Sequence, residues 1–462
     1  MRESSIAKFA TVLIIASTYI TATAEGNLSL HRAAELTFSN NHTIKAAEQK
    51  LLAAHYNRQA AKGLYMPKIS TTAAWVTLQK DIAIDVNPLK TLLGGLDIAP
   101  LLGLDWSYTL QKRNMGIIEA DITIPLFTGG KIIAANRAAE AEERGVVAES
   151  VACRNSLFSQ LVERYFAVTL ASNVVKVREL VVRAMEQHQR DISLLCDNGM
   201  ATKSELLYIN YTLTKSRQQL HSAELTLATA RNALSTTVGI DSVAHTSTPI
   251  FICKALESLD SFMGQAENSN PQLHYIDSQM ALAKQNIAIH RAAFFPEIAA
   301  IAGGGFGHNL TDILPRWAVG VGLKFTIFDG LSRHNRYAAA KSTAKRAKEV
   351  KSAANQDVKL LVQSLYNRCT DYLEQSIALE ESIAFAQEYL SNIKEAFLQD
   401  MASSTEVIDA TTALAASQIE QLEAAYNFDI YLAKMLETAG ASERFFEYIN
   451  SAHSKNIEYE VY

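Results

Sequence analysis

The sequence is short of the features that usually mark chemistry. Its 4 cysteines, Cys153, Cys196, Cys253 and Cys369, have no metal-ligand spacing, and its 11 histidines form no H-x-x-x-H or H-E-x-x-H pair. No metal site, cofactor or catalytic constellation is therefore expected. Lysines and arginines form no basic block and the net charge is −5, which argues against nucleic acid as a partner. The run "GGGFG" at 303–307 lacks the strand-to-helix context of a phosphate loop. Only 8 prolines interrupt 462 residues, an ordered and helix-friendly composition. Beyond the N-terminus no apolar run reaches the roughly 20 residues of a spanning helix.

What is present begins with Arg2 and Lys8 ahead of a short apolar run, "FATVLIIASTYI", and then Ala22 and Ala24. This order reads as a secretory signal peptide over 1–24, with cleavage between Ala24 and Glu25. No cysteine follows the cleavage site, so a lipid anchor there is not supported. An exported chain without spanning helices is either soluble beyond the inner membrane or crosses a membrane as strands.

The chain is a duplication. Phe127 and Phe328 are 201 residues apart, and the same offset relates Gly129 to Gly330, Met200 to Met401, Glu205 to Glu406 and Gly239 to Gly440. Upstream, Leu30 meets Leu259, Asn41 meets Asn270 and Pro67 meets Pro296 at an offset of 229, so the first copy carries 28 extra residues. These include the loop "VNPLKTLLGGLDIAPLLGLD". The expected organisation is a first repeat over 25–240, a mid-height linker over 241–258, a second repeat over 259–440 and a tail over 441–462. The tail either wraps the linker or lacks order.

Each copy reads as helix, two strands, long helix, sharp turn and return helix. Period-two alternation predicts strands near 67–78, 115–128, 295–308 and 316–328, each close to the 9–11 residues of a membrane strand. Ile118, Ala120, Ile122, Ile124 and Leu126 oppose Glu119, Asp121 and Thr123, and Trp317, Val319, Val321 and Leu323 oppose Ala318, Gly320, Gly322 and Lys324. From Lys131 to Asp197 there is no proline and one glycine, Gly145, which predicts a helix of roughly 100 Å. Leu161, Val168, Val175 and Val182, then Leu365, Tyr372, Leu379, Ala386 and Ile393, recur every seven residues, the spacing of coiled-coil seams. Continuous return helices are expected over 201–239, 259–294, 402–439 and 30–65.

Four strands cannot close a barrel, and open edges cannot be left in hydrocarbon. If the strands span a membrane, several chains must pool them, and three chains give twelve strands. The segments "YMPKIS" and "FFPEIA", "IPLFTGGK" and "FTIFDGLSRHNR", "NGMATKSELL" and "QDMASSTEVIDATTAL" resemble the TolC family of outer membrane efflux proteins over about residues 28–440. The resemblance implies a mainly α fold with membrane β: a homotrimeric helical barrel with a coiled-coil tip, carrying a 12-stranded β-barrel in outer membrane lipid of a Gram-negative cell. It implies a passive duct for efflux or type I secretion that extends into the periplasm and works with a periplasmic adaptor protein and an inner-membrane transporter.

The same resemblance implies roles for residues. Phe127, Gly129, Gly130, Phe328 and Gly330 would turn strand into helix, with the aromatics at the membrane interface. Gly199, Met200, Ala201 and Thr202, with Asp400, Met401, Ala402 and Ser403, would meet the adaptor at the helix-to-helix turns, although Asp400 departs from the family's glycine. Glu406 and Asp409 share a helix face and would ring the pore constriction, while Glu205 and Tyr208 would help gate the tip. Thr202, Ser403 and Ser404 also read as plain helix caps. The other reading of the chain is a periplasm-spanning coiled-coil tether without a pore, for which membrane strands have no use.

Overall fold

A computed structural model describes residues 27–85, 107–308 and 316–459. The expected signal peptide and the inserted loop "VNPLKTLLGGLDIAPLLGLD" lie outside the described residues. In chain order the elements are α1 (Leu30–Asn40), α2 (His42–Gly63), β1 (Lys68–Thr77), β2 (Ile82–Asp85), β3 (Ser107–Gln111), β4 (Asn114–Phe127), α3 (Lys131–Asp197) and α4 (Lys203–Val238). There follow β5 (Ile250–Cys253), α5 (Leu259–Ser269), α6 (Pro271–Ala292), β6 (Glu297–His308), β7 (Trp317–Lys324), α7 (Ser332–Leu398), α8 (Ser404–Thr438), α9 (Phe445–Ile449) and β8 (Ser454–Ile457). No described helix is long and apolar enough to cross a membrane.

The chain divides into two compact units, and α3 and α7, 67 residues each, contribute to both. One unit comprises residues 52–146 and 276–350 and carries a four-stranded antiparallel sheet in the order β1-β4-β6-β7. β2 and β3, which flank the inserted loop in sequence, form a separate two-stranded ribbon. The last strand stops at Lys324, short of the expected 328, and Phe325–Phe328 are irregular.

The other unit, residues up to 51, 147–275 and from 351 on, is helical and holds the largest buried side chains. Phe251 of β5 meets Phe428 of α8 and Phe445 of α9 edge-on at 6.2 and 5.7 Å, and Phe166 of α3 lies 6.2 Å from Phe445. Burying each such ring contributes roughly 1.5–3 kcal/mol. All four residues of β5 are buried, because the tail beyond the repeat pairs β8 against β5. Arg444 secures the tail: its guanidinium bonds Glu257 and Gln265, and Tyr448 donates to the same Glu257 carboxylate. Residues 441–459 are therefore a strap on the 241–258 segment.

The seven-residue seams are present in both long helices. In α3 Leu161, Val168 and Val182 are buried and Val175 is half-buried, as the spacing requires. In α7 a neighbouring row, Val362, Cys369, Ser376 and Ile383, is buried more deeply than the row beginning at Leu365. Both rows belong to one a/d stripe, and the small side chains Cys369 and Ser376 occupy its tightest positions.

Two of the four expected return helices are continuous, α4 and α8, and the other two are each broken once. α1 gives way to α2 at Asn41, and α5 to α6 at Asn270, each with extended backbone (ψ 128° and 120°). Both asparagines do the same work at the 229 offset. Asn41 Oδ1 caps α2 by accepting from Thr43 N–H, and its Nδ2 donates to Thr237 O at 3.1 Å. Asn270 Oδ1 caps α6 by accepting from Gln272 and Leu273, and its Nδ2 donates to Thr438 O at 2.7 Å. Each break thus ties itself to the last turn of the opposing return helix. Next to each tie the chain reverses at Gly239 (φ 75°) and Gly440 (φ 72°). A Cβ on Gly440 would lie 2.1 Å from Ser269 O, and one on Gly239 2.9 Å from Asn40 Cβ. Hydropathy spacing does not reveal the break at Asn41, whereas Pro271 directly after Asn270 marks the second one.

Asn270→Ala removes three hydrogen bonds around one buried break and is expected to destabilise the chain by about 1–3 kcal/mol. Gly440→Ala should cost more, because it combines a left-handed backbone with backbone overlap. Thermal unfolding of full-length protein should show lower Tm for both and little change for Gly63→Ala, whose Cβ enters open space.

Candidate functional site

The sheet has two chemically distinct faces. Strand pairing aligns Ile69 with Ile122, Ala302 with Ile122 and Val319 with Ala302; it also aligns Phe306 with Ile118 and Trp317 with Gly304. Because side chains alternate along strands and match across them, these residues share one face with Trp75, Val321 and Leu323. That face is exposed and apolar: Trp75, Ile118, Phe306, Trp317, Val319 and Val321 are each more than half exposed. The opposite face carries Lys68, Ser70, Thr72, Glu119, Asp121, Thr123 and Lys324. Gly303 stands across from Asp121 and Gly305 across from Glu119, so neither carboxylate is shielded by its β6 neighbour. Ser70 Oγ donates to Asp121 Oδ2 at 2.7 Å. Strand alternation had already separated Glu119 and Asp121 from the isoleucines; the cross-strand register gives them their glycine neighbours.

At the strand exits the two copies share a backbone conformation and differ in sequence. Gly129 (φ 61°) and Gly130 (φ 86°) correspond at the 201 offset to Gly330 (φ 65°) and Leu331 (φ 66°). A Cβ on Gly129 would lie 2.7 Å from Ala292 O, so only glycine fits there, whereas around Gly330 the space is open. Leu331 accepts a left-handed conformation that costs a non-glycine residue roughly 1–2 kcal/mol. Arg333 braces this second exit by bonding the Ala293 and Ile327 carbonyls and pairing with Asp329 at 3.2 Å. Phe127 and Phe328 are both exposed.

The two helix-to-helix turns match in detail. Gly199 (φ 74°) and Asp400 (φ 60°) both take the left-handed conformation, so aspartate occupies the glycine position with its backbone unchanged in kind. Met200 N–H donates to Leu195 O and Met401 N–H to Ala396 O, and both methionine side chains are exposed. Ala201 and Ala402 are half-buried beside them. Thr202 and Ser403 then open α4 and α8 through complete capping boxes with Glu205 and Glu406.

These caps engage two of the four expected pore residues. Ser403 N–H donates to Glu406 Oε2 at 2.6 Å, and that bond, with the Ser403 hydroxyl, holds the carboxyl below the usual carboxylate range. Glu205 is bound to Thr202 in the same way. Asp409 and Tyr208 are exposed, and neither side chain bonds a described residue.

The turn region holds one residue that sequence reading missed. His188 of α3 is buried, with Nε2 2.8 Å from the hydroxyl of Ser404 and its ring edge-on to Phe397 at 5.1 Å. It borders a cavity of about 430 Å³ lined also by Met185, Lys394, Leu398 and Ile408. Burial pulls the imidazole pKa down; Asp191 opposes that pull and Lys394 adds to it. A lone histidine among seam residues carries no periodic signal that would single it out.

A family model described as outer membrane efflux protein matches residues 34–240 and again 262–441. No curated protein sequence matches significantly. Among solved structures, CusC superposes with a TM-score of 0.73 at 16% identity, covering 92% of this chain and 95% of that one. The CmeC outer membrane channel of Campylobacter jejuni gives 0.72 at 14% identity, with 91% and 89% covered. The MtrE outer membrane channel of Neisseria gonorrhoeae, in its open state, gives 0.71 at 16% identity, with 89% of each covered. At these identities the likeness establishes the fold, including its long helices and internal repetition.

His188 carries a pH prediction. Its native pKa lies below that of the unfolded chain, near 6.5, so between those two values folding releases a proton. The stability it contributes is complete above pH ~6.5 and is lost as pH falls toward the native pKa. The protection of amides in the first turn of α8, taken as the intrinsic exchange rate at each pH divided by the observed one, should therefore fall from pH ~7 to ~5.5. His188→Gln should flatten that dependence.

Proposed function

The chain belongs to the outer membrane efflux protein family, and from that premise we propose that three copies form a passive duct through the outer membrane. The observation that carries the reading is the four-stranded sheet. Its apolar face is exposed, and its two edge strands, β1 and β7, run in opposite directions because every pairing between them is antiparallel. β7 of one copy can therefore continue antiparallel into β1 of the next. Two copies would give eight strands, a barrel filled by its own side chains. Three give twelve strands and room for an aqueous lumen lined by Glu119, Asp121 and the glycines opposite them.

In this reading Phe127 and Phe328 lie at the lipid interface and the helices extend into the periplasm. The turns at Gly199–Thr202 and Asp400–Ser403 dock a periplasmic adaptor, which links the duct to an energised inner-membrane transporter. Asp409 and the free oxygen of Glu406 project from each copy as a carboxylate ring at the tip constriction, and Glu205 and Tyr208 flank it. A tether without a pore would have no use for a sheet with one lipid-compatible face and one face carrying charged and polar side chains.

Planar-bilayer recording tests this reading. The purified protein is expected to conduct ions and to favour cations. Glu406→Gln with Asp409→Asn should lower the cation-to-anion permeability ratio several-fold, since rings of carboxylates set such selectivity. Glu119→Gln with Asp121→Asn should shift it in the same direction but less, because the barrel lumen is wider. Absence of any conductance from protein reconstituted with its fold intact would favour the tether.

A further inference from the structure

The strand-to-helix exit of the first copy opens a cavity that conduction does not use. It has a volume of about 450 Å³, within the range of small-molecule sites, and lies at the foot of β4. Its apolar walls are Tyr65 beyond α2, Leu126 and Phe127 of β4, Ile133 of α3 and Phe295 ahead of β6. These five residues are each between 44% and 57% exposed.

Leu126 continues the apolar face of the sheet from Ile122 and Ile124 toward the helices. The pairing slips between Pro125 and Phe127, and the bulge sets Phe127 across from Ile298. Ile298 alternates in step with Ala300 and Ala302, so the bulge turns Phe127 onto the apolar face as well. The cavity is thus the lower end of the surface that the membrane reading assigns to lipid. β4 is an inner strand, with β1 on one side and β6 on the other. Closing the ring through β1 and β7 would place neighbouring chains at the outer strands and not over this foot.

One cation joins the apolar walls. Arg291, in the last turn of α6, lines the cavity and is exposed, and no described residue bonds its guanidinium. The carboxylate of nearby Glu297 is engaged by Lys131 at 3.4 Å.

The duplication shows that the fold does not require this opening. Gly130 lines the cavity, and a Cβ on it would meet nothing within 4 Å. Its counterpart at the 201 offset is Leu331, which holds the same left-handed backbone. The arginine of that second exit, Arg333, is bonded to backbone carbonyls and to Asp329. The second exit thus carries a leucine and an engaged arginine, and the first an opening and a free one.

We propose that this cavity binds an anionic glycerophospholipid, such as phosphatidylglycerol, from the leaflet on the side of the helices. Its phosphate would lie on the Arg291 guanidinium, whose planar fork suits phosphate oxygens. One acyl chain would enter beside Leu126 and Phe295 and run along the apolar face past Ile124 and Ile122. Apolar walls continuous with a membrane face, with an unpaired cation beside them, match a molecule that carries a long alkyl chain next to a phosphate. The proposal rests on the membrane reading of the sheet, but the site lies within one chain and does not depend on how many copies close the ring.

Native mass spectrometry of delipidated full-length protein in a nonionic detergent tests it, with dioleoylphosphatidylglycerol as the probe. The same spectra report the number of chains, so failure of the ring is read separately from failure of the site. The first lipid per chain should bind saturably and more tightly than dioleoylglycerol, which lacks the phosphate. Arg291→Gln, at an exposed position, should weaken it about tenfold, the loss of a charge-assisted hydrogen bond. Gly130→Leu, which copies the second exit, should weaken it at least as much and leave the number of chains unchanged. Equal affinity for dioleoylglycerol would overturn the proposal. So would lipid binding that neither variant weakens, or no saturable binding at all.

Discussion

The rest of the structure depends on the hydrogen-bonding demand of a strand edge. β1 and β7 each present a row of backbone groups that no strand of their own sheet satisfies. In water such edges invite aggregation, and in hydrocarbon each unpaired group costs several kcal/mol. A sheet with a broad apolar face and two such edges is stable in a bilayer only when copies of itself close the ring. The long helices follow from the same constraint. In the proposed duct, the copies that close the strands would also bring their long helices together, and heptad seams are the packing that suits helices of that length.

Duplication supplies most of the local geometry. Left-handed residues, capping boxes and asparagine ties recur at fixed offsets, so one solution to turning the chain was used twice. The copies differ where the second has replaced glycine. Asp400 stands where the first copy has Gly199, and Leu331 where it has Gly130. Aspartate tolerates the left-handed region better than most residues, and Leu331 is held there by the exit that Arg333 braces. Gly129 and Gly440 remain glycine because backbone atoms of another segment occupy the space a Cβ would need.

Much of this was legible in the sequence because it rests on periodicity. Alternation placed the strands and their two faces, seven-residue spacing placed the seams, and the offset between Phe127 and Phe328 exposed the duplication. The glycine and aspartate turns were legible because positive φ restricts residue choice. What stayed hidden depends on contacts between distant segments. The break at Asn41 is recognised by its bond to Thr237, whereas the one at Asn270 also has a sequence signal in Pro271, which follows it and opens α6. The pairing of β8 with β5 joins segments about two hundred residues apart, and neither strand exceeds four residues. Glu406 was legible as an acidic residue on a shared face with Asp409, but its place in a capping box follows from Ser403 three residues before it. The capping signature was in the sequence, and the pore role of the pair was what the family resemblance implied.

The most direct measurement is the native mass of the protein extracted from outer membranes in mild detergent. Closure of four-stranded shares into a twelve-stranded barrel requires three chains, so a trimer is the predicted result. A monomer or a dimer would leave β1 and β7 unpaired or enclose too narrow a barrel, and would contradict the duct.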